Sequence, residues 1–452
     1  MRRAEASRLL LMESLVSCGS HGATRDDLMH LSGLSQGAFY KTIKPLIEER
    51  AVAESGDRYR LPMSSLQNYR FKLWRDAEAI KELPLKAQGL IEDVLAQTKD
   101  AYKDNLEALW LIGSAAHGEF NPVSSDLDFL AIVRRSIPTF HPRVAHPIQF
   151  ATLVPRDFEA KLQASDSFCL SALRYGVLLE DKGLARNWLD LPNLPDLQIK
   201  PLKEIKATLD HLRGRYLFFL KNDAEEDIRA AVKAYAVTLG RAMLAAFQEL
   251  PRGKPDLLDK LKFYYGEEIL PYFVPAIGIM AESLDELENI WRCFRANYLE
   301  LTQLKGLLYA SSIEFNIQCA QIIQKLGELA HYPGDTDFDW AFARKDGMRL
   351  YMECRSTYSA LDDEELDKFC LKLREPMTFE RPLPNDFGIF IFNPFNKKEP
   401  LWREWELDPK HRDLAQKHRV TCVSSKELLS FYNFWKVTGD FPNNSELATL
   451  FT

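Results

Sequence analysis

"LWLIGSAAHGEFNPVSSDLDFLAIV", Leu109–Val133, decides how the chain is read. It begins as a hydrophobic strand and breaks at Gly113–Ser114. A polar loop follows, and Asp126 and Asp128 then lead into a second hydrophobic strand. Residues two apart on a strand share a face, so both carboxylates point the same way. Two such carboxylates repel unless a cation sits between them. Mg²⁺ prefers hard oxygen ligands and commonly completes its shell with phosphate oxygens. A Gly-Ser turn lets backbone N–H groups and a hydroxyl come close to phosphate. The stretch therefore has the parts of a cradle for a metal-bound nucleotide, suited to phosphoryl or nucleotidyl transfer.

The order Gly113, Ser114, Gly118, Ser125, Asp126, Asp128 resembles the signature of the DNA polymerase beta superfamily of nucleotidyltransferases. It is most similar to the bacterial aminoglycoside-type and minimal branches. "HPIQFATLV" (146–154) and "ALRYGVLLEDK" (173–183) continue the resemblance as the next core strand and a closing helix–Gly–strand. It spans roughly residues 90–185. The resemblance implies Mg²⁺ (or Mn²⁺) on Asp126 and Asp128, and an NTP held by Gly113, Ser114 and Ser125. His117 stands where the family often has a basic residue and is expected near phosphate. The family's third carboxylate falls on Gln149, and a neutral amide is a poor base and a weaker Mg²⁺ ligand.

Outward towards the N-terminus, residues 5–62 carry a second pattern. Leu9, Leu10, Leu11, Leu15 and Val16 recur at helical spacing, and Gly19 and Gly22 stop the run. Thr24 is an N-cap with Asp27 three residues on, Gly33 permits a tight turn, and Ser35 caps "SQGAFYKTIKPLIEER". "AVAESGDRYRL" alternates about a turn, as a small hairpin does. The segment resembles the winged helix-turn-helix of bacterial transcription regulators. That resemblance puts Ser35, Gln36, Tyr40 and Lys41 towards bases of a major groove, and Lys44, Arg58 and Arg60 towards phosphates. Residues 1–62 hold nine Lys/Arg and eight Asp/Glu, so a protein-interaction module is the competing reading.

Residues 200–310 read as successive amphipathic helices, with Lys233 and Arg241 as candidate triphosphate contacts. Beyond them, "LLYASSIEFNIQCAQIIQKLGEL" is a helix with Glu314 near its start. "GDTDFDWAFARKDGMRLYMECRS" follows as two strands about a Lys-Asp-Gly turn, with Asp339 at the start of the first and Glu353 and Arg355 alternating on the second. Carboxylates on neighbouring strands beside a cation can hold a metal-bound water near a scissile phosphate. "FGIFIFNPFN" is a buried strand, and "HRDLAQKHRVTCVSSKELLSFY" is helix, strand, helix. Over about 305–437 this order resembles the PD-(D/E)XK restriction-endonuclease-like fold. The resemblance puts Asp339, Glu353 and Arg355 in its Asp, Glu and Lys positions, Glu314 on its active-site helix, and a metal on Asp339 and Glu353. Asp337 is an alternative to Asp339. Arginine binds phosphate in two-pronged fashion but does not give up a proton.

The fold class expected is multidomain, α/β and α+β: a winged helix (1–62), a helical linker (63–98), a mixed-sheet nucleotidyltransferase-like domain (99–199), a helical region (200–304) and an endonuclease-like α/β domain (305–452). At 452 residues, more than one core is the expectation. A net charge of −7 gives no global basic footprint, so contact with nucleic acid must be local. Seven cysteines without a CxxC argue against structural zinc and for a reducing cytosol. No apolar run reaches membrane-spanning length, and no signal-peptide core opens the chain. Three functions follow as expectations. They are a Mg²⁺-dependent nucleotidyltransferase working with nucleic acid in prokaryotic defence, toxicity or regulation, a metal-dependent nuclease with a nucleotide-sensing domain, and a non-catalytic DNA-binding regulator.

Overall fold

A computed structural model describes every residue except 1–6, 9, 13, 16–22, 49–51, 56–57, 61–71, 74–75, 78, 118–119, 121–124, 137, 139, 165, 190–201, 332–337, 346, 358–362, 375–385, 397–399, 401–402, 404, 406, 443–445 and 452. The side chains of 55, 60, 117, 167, 189, 305, 363 and 446 are also outside the description. The chain is mixed α/β and divides into two units, residues 1–208 with 248–257, and residues 209–247 with 258–452.

The first unit opens on a reciprocal cap. The Thr24 hydroxyl accepts from the amide of Asp27, while the Asp27 carboxylate takes the Thr24 amide at 3.0 Å. Helix α1 (Arg25–Ser32) ends at Gly33, whose φ of 63° suits glycine. Helix α2 (Gln36–Glu48) buries Phe39, Ile43 and Leu46. Strands β1 (Ala23–Thr24), β2 (Ala53–Ser55) and β3 (Arg58–Arg60) form an antiparallel sheet in the order β1-β3-β2.

The larger sheet of this unit has the order β6-β5-β4-β7, from β4 (Leu106–Ile112), β5 (Leu127–Val133), β6 (Ile148–Leu153) and β7 (Val177–Asp181). β5 runs antiparallel to β4 and parallel to β6, and β7 is antiparallel to β4. Leu127, Phe129, Ala131 and Val133 alternate into a core shared with Ala87, Ile91 and Val94 of helix α3 (Leu85–Tyr102). On the other face Trp110 is fully buried and stacks on Phe158 of helix α4 (Pro155–Gln163), with ring centres 5.8 Å apart. Each large buried side chain contributes roughly 1.5–3 kcal/mol. A one-residue slip of β5 would move Asp126 and Asp128 to the α3 side and lose that burial. The register that puts both carboxylates on one face is therefore fixed by the hydrophobic alternation around them.

The second unit pairs helices with a five-stranded sheet of order β12-β11-β10-β9-β8. Its strands are β8 (Ala330–His331), β9 (Trp340–Ala343), β10 (Arg349–Ser356), β11 (Phe387–Asn393) and β12 (Val420–Ser424). β9 and β10 form an antiparallel pair, while β10, β11 and β12 are parallel. Helix α5 (Asp363–Arg374) lies between β10 and β11 in the chain and packs Leu366, Phe369 and Cys370 against Tyr351 and Phe390. Among the described residues no helix is long and apolar enough to cross a membrane.

Candidate functional sites

The first site sits where β4 ends. Gly113 leaves the strand with φ +74°, and a Cβ added there would stand 2.2 Å from the Asp128 Oδ2. The turn is thus shaped around the Asp128 carboxylate. Asp128 pairs with Ile112 on one side and with Gln149 on the other. The Gln149 amide nitrogen donates to the Asp126 Oδ2 at 2.5 Å. Three of the residues singled out on sequence therefore meet, with Gly113 behind them. Ser114 follows in the same turn and is half-buried. Ser125 fixes the approach to Asp126, its carbonyl lying 2.8 Å from the His146 Nε2. His117 closes a short 3-10 turn (Ala115–His117), and its side chain lies outside the described residues, as does Gly118. Lys233 and Arg241 belong to the second unit.

The electrostatics of this site are unbalanced. The Asp128 carboxyl is pushed up from 3.8 to about 6, by burial first and by the charge of Asp126 next, while Lys254 pulls the other way. Lys254 lies in the short segment that belongs to this unit despite its distance in sequence. Nothing near the motif signals it, since it comes from the start of a helix more than a hundred residues on. Two carboxylates that disfavour joint ionisation become compatible once a cation lies against both. The residues present fit a cation that draws its remaining ligands from phosphate and water. They do not make an all-protein cage: among the described residues no group of three or more His, Cys, Asp or Glu could hold a metal ion.

The second site is on β10. Tyr351, Glu353 and Arg355 alternate onto the face covered by α5. The Arg355 guanidinium takes three carboxylates with three different nitrogens. Its Nε holds Glu365 at 2.5 Å, its Nη1 holds Asp339 at 3.3 Å, and its Nη2 holds Glu353. Lys372 adds an ammonium 3.1 Å from the Glu353 Oε1. Asp339 also accepts the Cys354 amide at 2.9 Å. Glu353 is buried, and its Oε2 has no hydrogen-bond partner among the described residues. Burial lowers the affinity of Arg355 for its proton, but the bond to Glu365 and the charges of Glu353 and Asp339 outweigh it and raise the pKa. Glu365 is held below the usual carboxylate range by the Arg355 bond.

Asp339, Glu353 and Arg355 thus converge as the sequence suggested, and Glu365 and Lys372 join them unforeseen. These two lie two helical turns apart on α5, on one face. Only the fold shows that this face covers β10. Glu314 is not brought in by any contact described. It is exposed on helix α6 (Ser312–Gly327) and accepts from Gln318 at 3.3 Å. The Cys354 thiol, on the other face of β10, reaches Cys319 of that helix. Asp337 lies outside the described residues.

A third surface is the outer side of α2. Ser35, Gln36, Tyr40, Lys41 and Lys44 are all exposed, opposite the buried Phe39, Ile43 and Leu46. The Tyr40 hydroxyl accepts from the Arg25 Nη1 at 3.3 Å, which ties the two helices together. Arg58 is half-exposed on β3, and the Arg60 side chain is outside the description. Compared with known proteins, the chain matches no protein-family profile and no curated sequence.

Proposed function

We propose that the first unit binds a nucleoside triphosphate with Mg²⁺ and transfers a nucleotidyl group to an acceptor hydroxyl, in a protein that works with nucleic acid. The observation that carries this reading is the meeting of the Gly113 turn with paired Asp126 and Asp128, where burial first and the neighbouring charge of Asp126 second raise the Asp128 pKa to about 6. Asp126 and Asp128 would hold the cation, which supplies charge neutralisation at the phosphates. The Gly113–Ser114 turn offers backbone N–H groups to the phosphate. Lys254 adds positive charge on the same side as Asp128. Gln149 donates to Asp126 and accepts no proton from an acceptor hydroxyl. As a ligand of the cation Asp128 would be held ionised, so its raised pKa belongs to the site before the cation binds. The α2 face offers Lys41 and Lys44 to the phosphates of a duplex.

Isothermal titration of the full chain with Mg²⁺ and ATP or GTP tests the reading. The double substitution Asp126→Asn, Asp128→Asn keeps side-chain volume and removes the charge. It should abolish Mg²⁺-dependent binding, and unchanged affinity would sink the idea.

A specific observation favours a second reading for the second unit, metal-dependent cleavage of a phosphodiester. Arg355 alone offers no titrating amine, yet Lys372 places one 3.1 Å from Glu353. The carboxylate pair and the ammonium come from neighbouring elements, β9–β10 and α5.

A further inference from the structure

A cavity of about 380 Å³ lies beside β12, the edge strand of the second unit's sheet. Helix α7 (Pro409–Lys417), helix α8 (Ser425–Thr438) and the turn after the helix that ends at Tyr265 help to wall it. β11 separates β12 from β10, so the cavity is distinct from the Glu353–Arg355 cluster. Val423, Phe431 and Leu447 give it an apolar lining, and Lys262, Arg412 and Lys426 give it cations. Lys426 is half-buried, with its Nζ 5.0 Å from the centre of the Phe263 ring. Among the described residues no hydrogen bond or ion pair holds its ammonium, and none holds the Arg412 guanidinium. Burial pushes the Lys426 pKa down, the charge of Glu427 opposes that, and the charge of Lys262 adds to it. Three carboxylates also line the cavity. Glu267 pairs with Lys262 at 3.1 Å, Glu427 is taken by the Ser424 amide and hydroxyl at 2.7 Å each, and Glu268 is the third. Three cations against three carboxylates make the lining neutral as a whole, so a polyanion gains no net attraction there.

We propose that this cavity binds a small organic monoanion, with its one acidic group on Lys426 and Arg412 and its apolar body against Val423, Phe431 and Leu447. An ammonium drawn partly out of water has lost hydration that the Phe263 ring restores only in part. An anionic oxygen replaces that hydration with a charge-assisted hydrogen bond. Arg412 adds a planar fork that matches a carboxylate, sulfonate or phosphate. The volume falls within the range of small-molecule pockets, roughly 300–1,000 Å³. A bare inorganic ion would leave most of it unfilled and the apolar lining without a partner. The neutral lining disfavours a nucleoside triphosphate, so this cavity is no second copy of the site at Asp126 and Asp128. The inference stands apart from both readings of function, since it uses none of their residues.

The full chain is titrated with 8-anilinonaphthalene-1-sulfonate, a monoanion on an aromatic body, and the bound probe is followed by its fluorescence. Wild type should bind one equivalent. Lys426→Gln should weaken binding by about ten-fold, the loss of one hydrogen bond to a charged group. Arg412→Gln should weaken it less, because Arg412 is exposed. Lys426→Arg keeps the charge and should bind nearly as wild type does. Ser430→Trp fills the cavity from α8, leaves every charge in place and should block the probe. 1-Naphthylacetate should displace the probe, whereas 1-naphthylmethylamine, with the same ring and the opposite charge, and ATP should not. Circular dichroism checks the fold of each variant, because a loosened core also takes up this probe. The proposal is overturned if wild type binds no probe, or if folded Lys426→Gln or Ser430→Trp binds as tightly as wild type. Displacement by the amine or by ATP as strong as that by the carboxylate overturns it too, and this arm needs no variant to fold.

Discussion

Asp128 shows how a residue of a candidate site carries a cost to stability. Its folded pKa of about 6 lies above the ordinary 3.8, so the folded state holds the proton more tightly than the unfolded chain. The penalty is present in full above about pH 6, shrinks as the pH falls towards 3.8, and is gone below that value. Asp128→Asn removes it without changing volume. With chelator present, the variant should melt about 2–4 °C higher than wild type near pH 8. That is the shift expected of ~1 kcal/mol after discounting for solvent at a partly exposed carboxyl. The gain should fade towards pH 4, and thermal melts across pH check it. A shift of equal size at every pH would mean that the charge is not the cause. The pairing of Asp126 with Asp128 was legible from their spacing. The hydrogen bond from Gln149 to Asp126 was not, since Gln149 is in register with Asp128 and reaches diagonally. Spacing gives the face of a side chain and leaves its partner open.

Elements were the most legible scale, because their signals are local. The Thr24 cap, the Gly33 stop and the alternation of Leu127–Val133 are read directly from neighbouring residues. What stayed hidden is how elements dock. Lys72 and Asp76 form an ion pair 2.9 Å apart, with side chains 6% and 1% exposed, in a stretch that reads only as a linker. Lys72 also donates to the Gly176 carbonyl, and Asp76 accepts the Leu178 amide at 2.7 Å. The pair thereby fixes that stretch to the start of β7. Removing one partner of a buried pair leaves an uncompensated charge and costs about 3–5 kcal/mol. Lys72→Met should lower urea stability of the first unit by that amount, and a loss below ~1 kcal/mol would show that Asp76 is satisfied by the Leu178 amide alone. The α2 face is also an element-scale matter. Lys41→Ala with Lys44→Ala should weaken duplex binding and make the salt dependence shallower by about two in log–log slope, close to one for each lost phosphate contact. Duplex binding at low salt that is indifferent to both changes would favour the protein-interaction reading of this segment.

Across the whole molecule the two candidate sites have unequal defects. Gln149 takes a negative charge away from the first site, which lowers both cation affinity and base strength. Arg355 keeps a positive charge in the second, so on the cleavage reading phosphate positioning and charge stabilisation would survive there, and Lys372, 3.1 Å from Glu353, would be the amine at hand. The first site has no second carboxylate in reserve among the described residues. The second has Glu365, but its carboxylates are spent on Arg355. Each site therefore fails or works for its own reason, and each lies in a different unit. Substitutions at sites without shared partners act independently. Two variants in two assays separate the readings. Asp126→Asn should stop the labelling of an acceptor from a labelled NTP and leave nucleic-acid cleavage as it was. Glu353→Gln, which keeps the buried volume, should stop cleavage and leave labelling intact. Loss of both activities in either variant would point to one coupled reaction instead of two. Wild-type protein that neither labels nor cleaves a broad panel of DNA and RNA with Mg²⁺ or Mn²⁺ would remove both enzymatic readings. Nucleotide binding at Asp126 and Asp128, measured by titration, would then be a sensing event, with the α2 face as its output on DNA.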